Sequence, residues 1–189
     1  MKAFSSTLAI ELIRLWAAPA GLDLIENPLD GCGAVLSKCG HYRYLLWRDA
    51  AGTQPLLAFA MLNPSTADHR DDDPTIRRCL GWSRAARSGL LVWNLFALRS
   101  TDPRELARHA DPVGPANDHA IVQALGWSGQ TVAAWGTHGT LLGREATIRR
   151  RCAAQGSKLH ALRLTAEGHP GHPLYLPKAA KPEPWDFDW

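Results

Sequence analysis

Apolar residues recur at helical spacing from residue 6 to residue 18 (Leu8, Leu12, Leu15, Trp16), which predicts an amphipathic helix near the start of the chain. Two short runs, 33–37 and 42–48, flank Lys38-Cys39-Gly40, whose turn chemistry makes them an antiparallel hairpin. Beyond residue 50 the pattern changes. Apolar runs at 56–62, 90–94, 131–135 and 159–164 read as strands, and they alternate with helical segments at 74–87, 103–109, 115–125 and 141–154. Asp73-Pro74 is a strong helix start, because Asp accepts hydrogen bonds from free backbone amides and proline suits the first helical position. This alternation predicts a three-layer α/β/α fold with a central, mostly parallel four-stranded sheet plus the N-terminal β-hairpin. The chain reads as one α/β domain: residues 1–30 a helical extension, 31–178 the core, and 179–189 a Pro- and Trp-rich tail. In that tail Trp185 and Trp189 are expected to pack irregularly over the domain.

Composition changes this picture little. At 189 residues, 46% of them hydrophobic and 21% charged, the chain can bury a core without disulfides or metals as staples. No apolar run approaches the roughly 20 residues of a membrane span. Glu11 and Arg14 interrupt the N-terminal apolar stretch, which argues against a secretory signal. A cytoplasmic monomer is the expectation. The net charge of +3 permits nucleic-acid binding without demanding it. Cys32, Cys39, Cys79 and Cys152 have no Cys-x-x-Cys spacing, so reduced thiols are expected and no metal or cofactor is predicted. An iron–sulfur cluster would need all four to converge in space.

Candidate chemistry follows from strand ends. In open parallel sheets, ligands bind beyond the carboxyl ends of the strands, where several loops meet. Four polar strings fall there: Asn63-Pro64-Ser65-Thr66, Asn94, Gly136-Thr137-His138, and His172-Pro173. Each alone is ordinary turn chemistry. Together, on one predicted rim, they predict a site.

These strings resemble motifs of the uracil-DNA glycosylase-like superfamily. Met61-Leu62-Asn63-Pro64-Ser65 is similar to the first motif of mismatch-specific and single-strand-selective uracil-DNA glycosylases, a strand ending in Asn-Pro-Gly. Leu90-Leu91-Val92-Trp93-Asn94-Leu95 resembles the strand whose terminal asparagine reads the flipped base. Val132-Ala133-Ala134-Trp135-Gly136-Thr137-His138 is similar to their Leu-Trp-Gly-Ser strand end, and His172-Pro173-Leu174-Tyr175-Leu176 to their His-Pro-Ser-Pro-Leu loop. The resemblance spans residues 56–178 in the same order. The closest likeness is to a bacterial family of unassigned function carrying the same Asn-Pro-Ser-Thr-Ala-Asp and His-Pro-Leu-Tyr-Leu-Pro strings, and that likeness brings no activity with it.

The resemblance implies a DNA glycosylase, acting on a base swung out of the helix into a pocket. In that reading the partner is DNA, Asn94 reads a uracil-like or modified pyrimidine, Asn63 holds the attacking water, and His172 donates a hydrogen bond to the departing base. Asp68 would supply a nearby carboxylate. Leu62, Ser65, Thr66, Gly136, Thr137 and His138 would line the pocket. Leu176, beside Tyr175, would fill the gap in the duplex, and Lys178 and Lys181 would meet phosphates. Ser65 departs from the glycine usual in the first motif, and no obvious aromatic follows it to stack on the base. Two other readings stand beside this one. The first is a nucleotide- or modified-base-binding module without chemistry. The second is magnesium-dependent phosphoryl or nucleotide chemistry on Asp68, Asp71, Asp72 and Asp73, since hard cations prefer carboxylate oxygens.

Overall fold

The computed structural model of the chain describes residues 4–27 and 29–185. Eight strands form one mixed sheet: β1 (Asp23–Asn27), β2 (Cys32–Leu36), β3 (Arg43–Arg48), β4 (Leu56–Met61), β5 (Leu90–Asn94), β6 (Ser128–Ala133), β7 (Leu159–Ala161) and β8 (Glu183–Pro184). Their spatial order is β1-β2-β3-β5-β4-β6-β7-β8. Four of the seven pairings are antiparallel, namely β1 with β2, β2 with β3, β3 with β5 and β7 with β8. The three parallel pairings lie within β5-β4-β6-β7. The expected four-stranded, mostly parallel sheet is therefore corrected to an eight-stranded sheet in which the parallel strands are flanked by antiparallel ones.

Four helices cover the two faces: α1 (Ser6–Ala17), α2 (Pro74–Ala85), α3 (Asn117–Trp127) and α4 (Arg144–Ala154). Side chains of β5 alternate between two cores. Leu90 and Val92 join Ile76, Cys79 and Leu80 of α2 on one face. Leu91 and Trp93 join α1, α3 and α4 on the other, with Ile13, Ile121 and Ile148. Three layers result, as the alternation of elements implies. No helix among the described residues is long and apolar enough to cross a membrane.

Local signals account for most boundaries. Ser5 caps α1 by accepting from Leu8 N at 3.2 Å, and Asp73 caps α2 by accepting from Ile76 N at 2.8 Å with Pro74 next in line. Gly40, at φ +72°, closes the β2–β3 turn through a hydrogen bond from its N–H to Ser37 O. The buried stripe of α1 is Ala9, Ile10, Ile13, Trp16 and Ala17, whereas Leu8 and Leu15 face solvent. The helix is thus rotated from the orientation that Leu8, Leu12 and Leu15 predict, because Trp16 packs edge-on against Trp127 of α3.

Other boundaries move. Residues 103–109 hold only a short helical turn at Pro103–Glu105, and the fourth parallel strand stops at Ala161. The N-terminal extension supplies β1, an edge strand, as well as α1. The tail adds β8, and Trp185 is buried with its N–H bonded to Leu159 O and its ring 5.6 Å from that of Trp135. The expectation for Trp189 lies outside the described residues.

Candidate active site

A cleft of about 180 Å³ opens where β4 and β5 end, β3 begins and α2 starts. Asn63, Asn94 and His172, far apart in sequence, all line it, over an apolar floor of Met61, Ile76 and Val92. That volume is below the roughly 300–1,000 Å³ of sites for drug-sized ligands and limits the occupant to a small molecule. Ser65 and Leu62 also line it, as the strand-end strings predict.

Asn94 is the last residue of β5, in parallel register with Met61. It is 1% exposed, yet neither its Nδ2 nor its Oδ1 has a hydrogen-bond partner among the described residues. An unsatisfied buried polar group costs about 1–3 kcal/mol, so folding alone does not favour an amide here. The backbone beneath it is fixed. Asn117, wholly buried, donates from Nδ2 to Asn94 O at 3.0 Å and Leu95 O at 3.1 Å. Arg144 Nε donates to the same Leu95 O at 3.0 Å and is itself paired with Asp118 at 2.7 Å. Neither Asn117 nor Arg144 stands out in the sequence; each sits at the start of a helix on the opposite face and acts by positioning β5.

Asn63 has a fixed amide orientation. Its Nδ2 donates to Pro64 O at 3.0 Å and Ser100 O at 2.8 Å, using both donor hydrogens and leaving the carboxamide oxygen as the acceptor. His172 is half-buried at the head of the turn Pro173–Tyr175, where its Nδ1 accepts from Leu174 N at 3.3 Å. That contact assigns the ring proton of the neutral imidazole to Nε2. Burial holds the His172 pKa below its ordinary value, opposed by the negative charge of Asp73. Arg78 of α2 secures the turn by donating to Leu176 O, with its guanidinium 5.1 Å from the Trp82 ring centre.

Two lining residues escape the strand-end rule. Asp73, the α2 cap, is the only carboxylate lining the cleft among the described residues. Arg43 begins β3; because β3 runs antiparallel to β5, its first residue reaches the rim where β4 and β5 end. Arg43 is 3% exposed, donates to Ala67 O, and leaves its buried Nε unpartnered. Burial lowers its pKa to about 10, with Asp73 opposing and Arg99 and Arg48 reinforcing the drop, so it stays cationic at neutral pH.

Several expected residues lie elsewhere. Asp68 is not on the cleft; its Oδ1 accepts from Arg70 N at 2.7 Å and Asp71 N at 2.8 Å, which lowers its pKa and ties it to its own loop. Thr66 lines an adjoining open groove with His41 and Arg99, which meets the cleft at Ser65, Ser100 and Thr101. Gly136, Thr137 and His138 do not line the cleft. Gly136, at φ +69°, bonds through its N–H to Pro170 O and turns the chain into the helical turns of Thr137–Gly143. Leu176 packs against the α2-side core, whereas Tyr175 is 81% exposed. Lys178 and Lys181 are exposed.

The acidic loop does not gather its carboxylates. Asp72 pairs with Arg48 at 2.8 Å, Asp73 caps α2, and Asp68 binds backbone amides. Among the described residues no three His, Cys, Asp or Glu side chains are grouped to hold a metal ion. Cys79 and Cys152 lie in cores on opposite faces of the sheet, which removes the convergence a four-cysteine cluster requires.

The fold and cleft define a class, an α/β protein with a polar pocket at its strand ends. Residues 43–174, most of the chain, match the family described as protein of unknown function (DUF1643), and the chain belongs to that family. The match takes in Arg43, Asn63, Asn94 and His172. Neither a curated protein nor a solved structure matches the chain.

Proposed function

We propose that the protein is a monofunctional DNA glycosylase which hydrolyses the bond between deoxyribose and a uracil-like or modified pyrimidine, on a uracil-DNA glycosylase-like fold. The observation that carries this reading is the buried, unpartnered amide of Asn94 in the same cleft as Asn63 and His172. One carboxamide offers a donor and an acceptor to the adjacent carbonyl and N–H of a pyrimidine edge.

The remaining groups have assigned roles. The carboxamide oxygen of Asn63 holds a water against the sugar C1′. As the glycosidic bond breaks, the electron pair leaves with the base, and the Nε2–H of His172 bonds the base oxygen on which charge builds. The water oxygen then bonds C1′, and its proton passes to Asp73, which takes the place first given to Asp68. Tyr175, exposed beside His172 with ring centres 5.5 Å apart, takes the wedge position first given to Leu176.

The test incubates the protein with oligonucleotides carrying uracil, damaged bases or modified cytosines, with EDTA present, and reveals abasic sites with alkali. Strand breaks by the wild type and an approximately 100-fold or greater loss in Asn63→Ala are expected. A requirement for magnesium, or tight binding without abasic sites, would move the protein to one of the other two classes.

A further inference from the structure

Arg43 is where it is because of an irregularity in the sheet. Along β2, Val35 and Leu36 are consecutive, but their partners on β3 are Leu45 and Arg43, so Tyr44 is an extra residue in β3. Alternation along β3 is thereby flipped. Arg43 would otherwise share the side of Leu45 and Trp47, which belong to the core under α1, α3 and α4. The bulge sends it to the α2 side, with Leu46 and Asn94, and into the cleft. Bulges of this kind recur next to active sites, where they re-aim a side chain.

The placement is costly for the fold. A guanidinium 3% exposed forms no ion pair within 4 Å of any described carboxylate, and its Nε hydrogen has no acceptor among the described residues. Asp73 and Asp68 act on this charge only from beyond ion-pair distance, Asp73 already accepts from Ile76 N, and Arg48 and Arg99 add positive charge nearby. Buried charges are ordinarily paired, because a lone ion loses its hydration with nothing in return. In the same cleft the amide of Asn94 is likewise unpartnered among the described residues. The two unmet demands line one cleft and are of different kinds: Asn94 lacks a donor and an acceptor, Arg43 lacks an anion.

We infer that the ligand of this cleft is a pyrimidine bearing a carboxylate, its ring edge paired with Asn94 and its acidic group paired with Arg43. This rests on the base-reading role of Asn94 proposed above and narrows it from uracil-like bases to an acidic subset. A neutral base would satisfy Asn94 and leave the cation alone. A carboxylate beside the ring edge satisfies both, through a charge-assisted hydrogen bond to the free Nε.

The test uses free bases and the intact protein, and so needs no excision. Calorimetric titration with 5-carboxyuracil, uracil and inorganic phosphate reads the selectivity directly. 5-Carboxyuracil is expected to bind at least about tenfold more tightly than uracil, and phosphate far more weakly than either. Arg43→Met is expected to bring the two bases within about twofold, with Arg43→Lys intermediate as the variant that keeps the charge. Equal affinity of the wild type for both bases, or binding of none of the three, overturns the inference whatever the variants do. Phosphate binding as tight as 5-carboxyuracil overturns it too, since the cleft would then hold an anion without reading a base. Carboxylate selectivity without abasic sites in DNA would sink the glycosylase reading alone, while excision of uracil with equal base affinities would sink this inference alone.

Discussion

Two polar clusters are buried beyond the ends of the parallel strands, and they differ in one respect. After β6, Glu145 accepts from Trp135 Nε1 at 3.0 Å, bonds His169 Nδ1 at 3.0 Å and lies 3.6 Å from Arg149. After β5, Asn94 and Arg43 are as deeply buried but carry polar atoms that nothing in the described chain satisfies. In the first cluster the Glu145 carboxylate is satisfied by both rings and ties α4 and the loop bearing His169 to the end of the sheet. The second is open toward a cleft. Burial of polar side chains is common to both, so burial does not distinguish structure from function; what sets Asn94 and Arg43 apart is that unpartnered polar atoms and the lining of a cleft coincide in them.

The comparison can be broken from either side. The largest effect is expected at the open site: His172→Ala should lower base release about 10²- to 10³-fold, measured by single-turnover excision, with little change in the denaturation midpoint. At the Glu145 cluster the order reverses. Glu145→Ala removes the acceptor for Trp135 and His169 and should cost about 3 kcal/mol of unfolding free energy in urea, with base release changed less than stability. If Glu145→Ala abolished excision while leaving stability intact, the division between the two clusters would fail.

The smallest effect is in pH. Well above pH 6.5 the His172 ring is neutral whether the chain is folded or not. Burial depresses its folded pKa, so as pH falls below 6.5 the unfolded chain takes up the proton first. Stability linked to this residue is therefore present above pH 6.5 and lost as pH falls toward the folded pKa. The same neutral, Nε2-protonated ring should keep base release active somewhat below pH 6.5, and His172→Gln should flatten that part of the stability profile.

What the sequence discloses divides along the same line. Strands β4 and β5 are legible nearly residue for residue, because both are continuous apolar runs closed by a polar residue, Asn63 or Asn94. Of the four polar strings expected on one rim, those of Asn63, Asn94 and His172 converge on the cleft. Arg43 is not legible: the rule about strand ends directs attention to where parallel strands finish, whereas Arg43 begins an antiparallel one and reaches the cleft through a bulge that hydropathy does not reveal. Asp73 lines the cleft and Asp68 does not, because separation along a loop says nothing of direction. Asp68 folds back on its own amides, and Asp73 is carried to the cleft by the helix it caps. β1 and β8 carry too few apolar residues to stand out. Gly136 to His138 sit at a strand end as expected, but the bond from Gly136 to Pro170 draws them away.

The account depends on Asn94 being present for a ligand and not for the fold, and Asn94→Leu tests this in one variant. A side chain of similar shape that removes two unpartnered polar atoms is nearly neutral or stabilising when those atoms have no structural role. Urea denaturation and base release measured on the same preparation are expected to show unfolding free energy equal to or above the wild type, and release lost. A fall of about 2 kcal/mol or more in stability, with release retained, would contradict it.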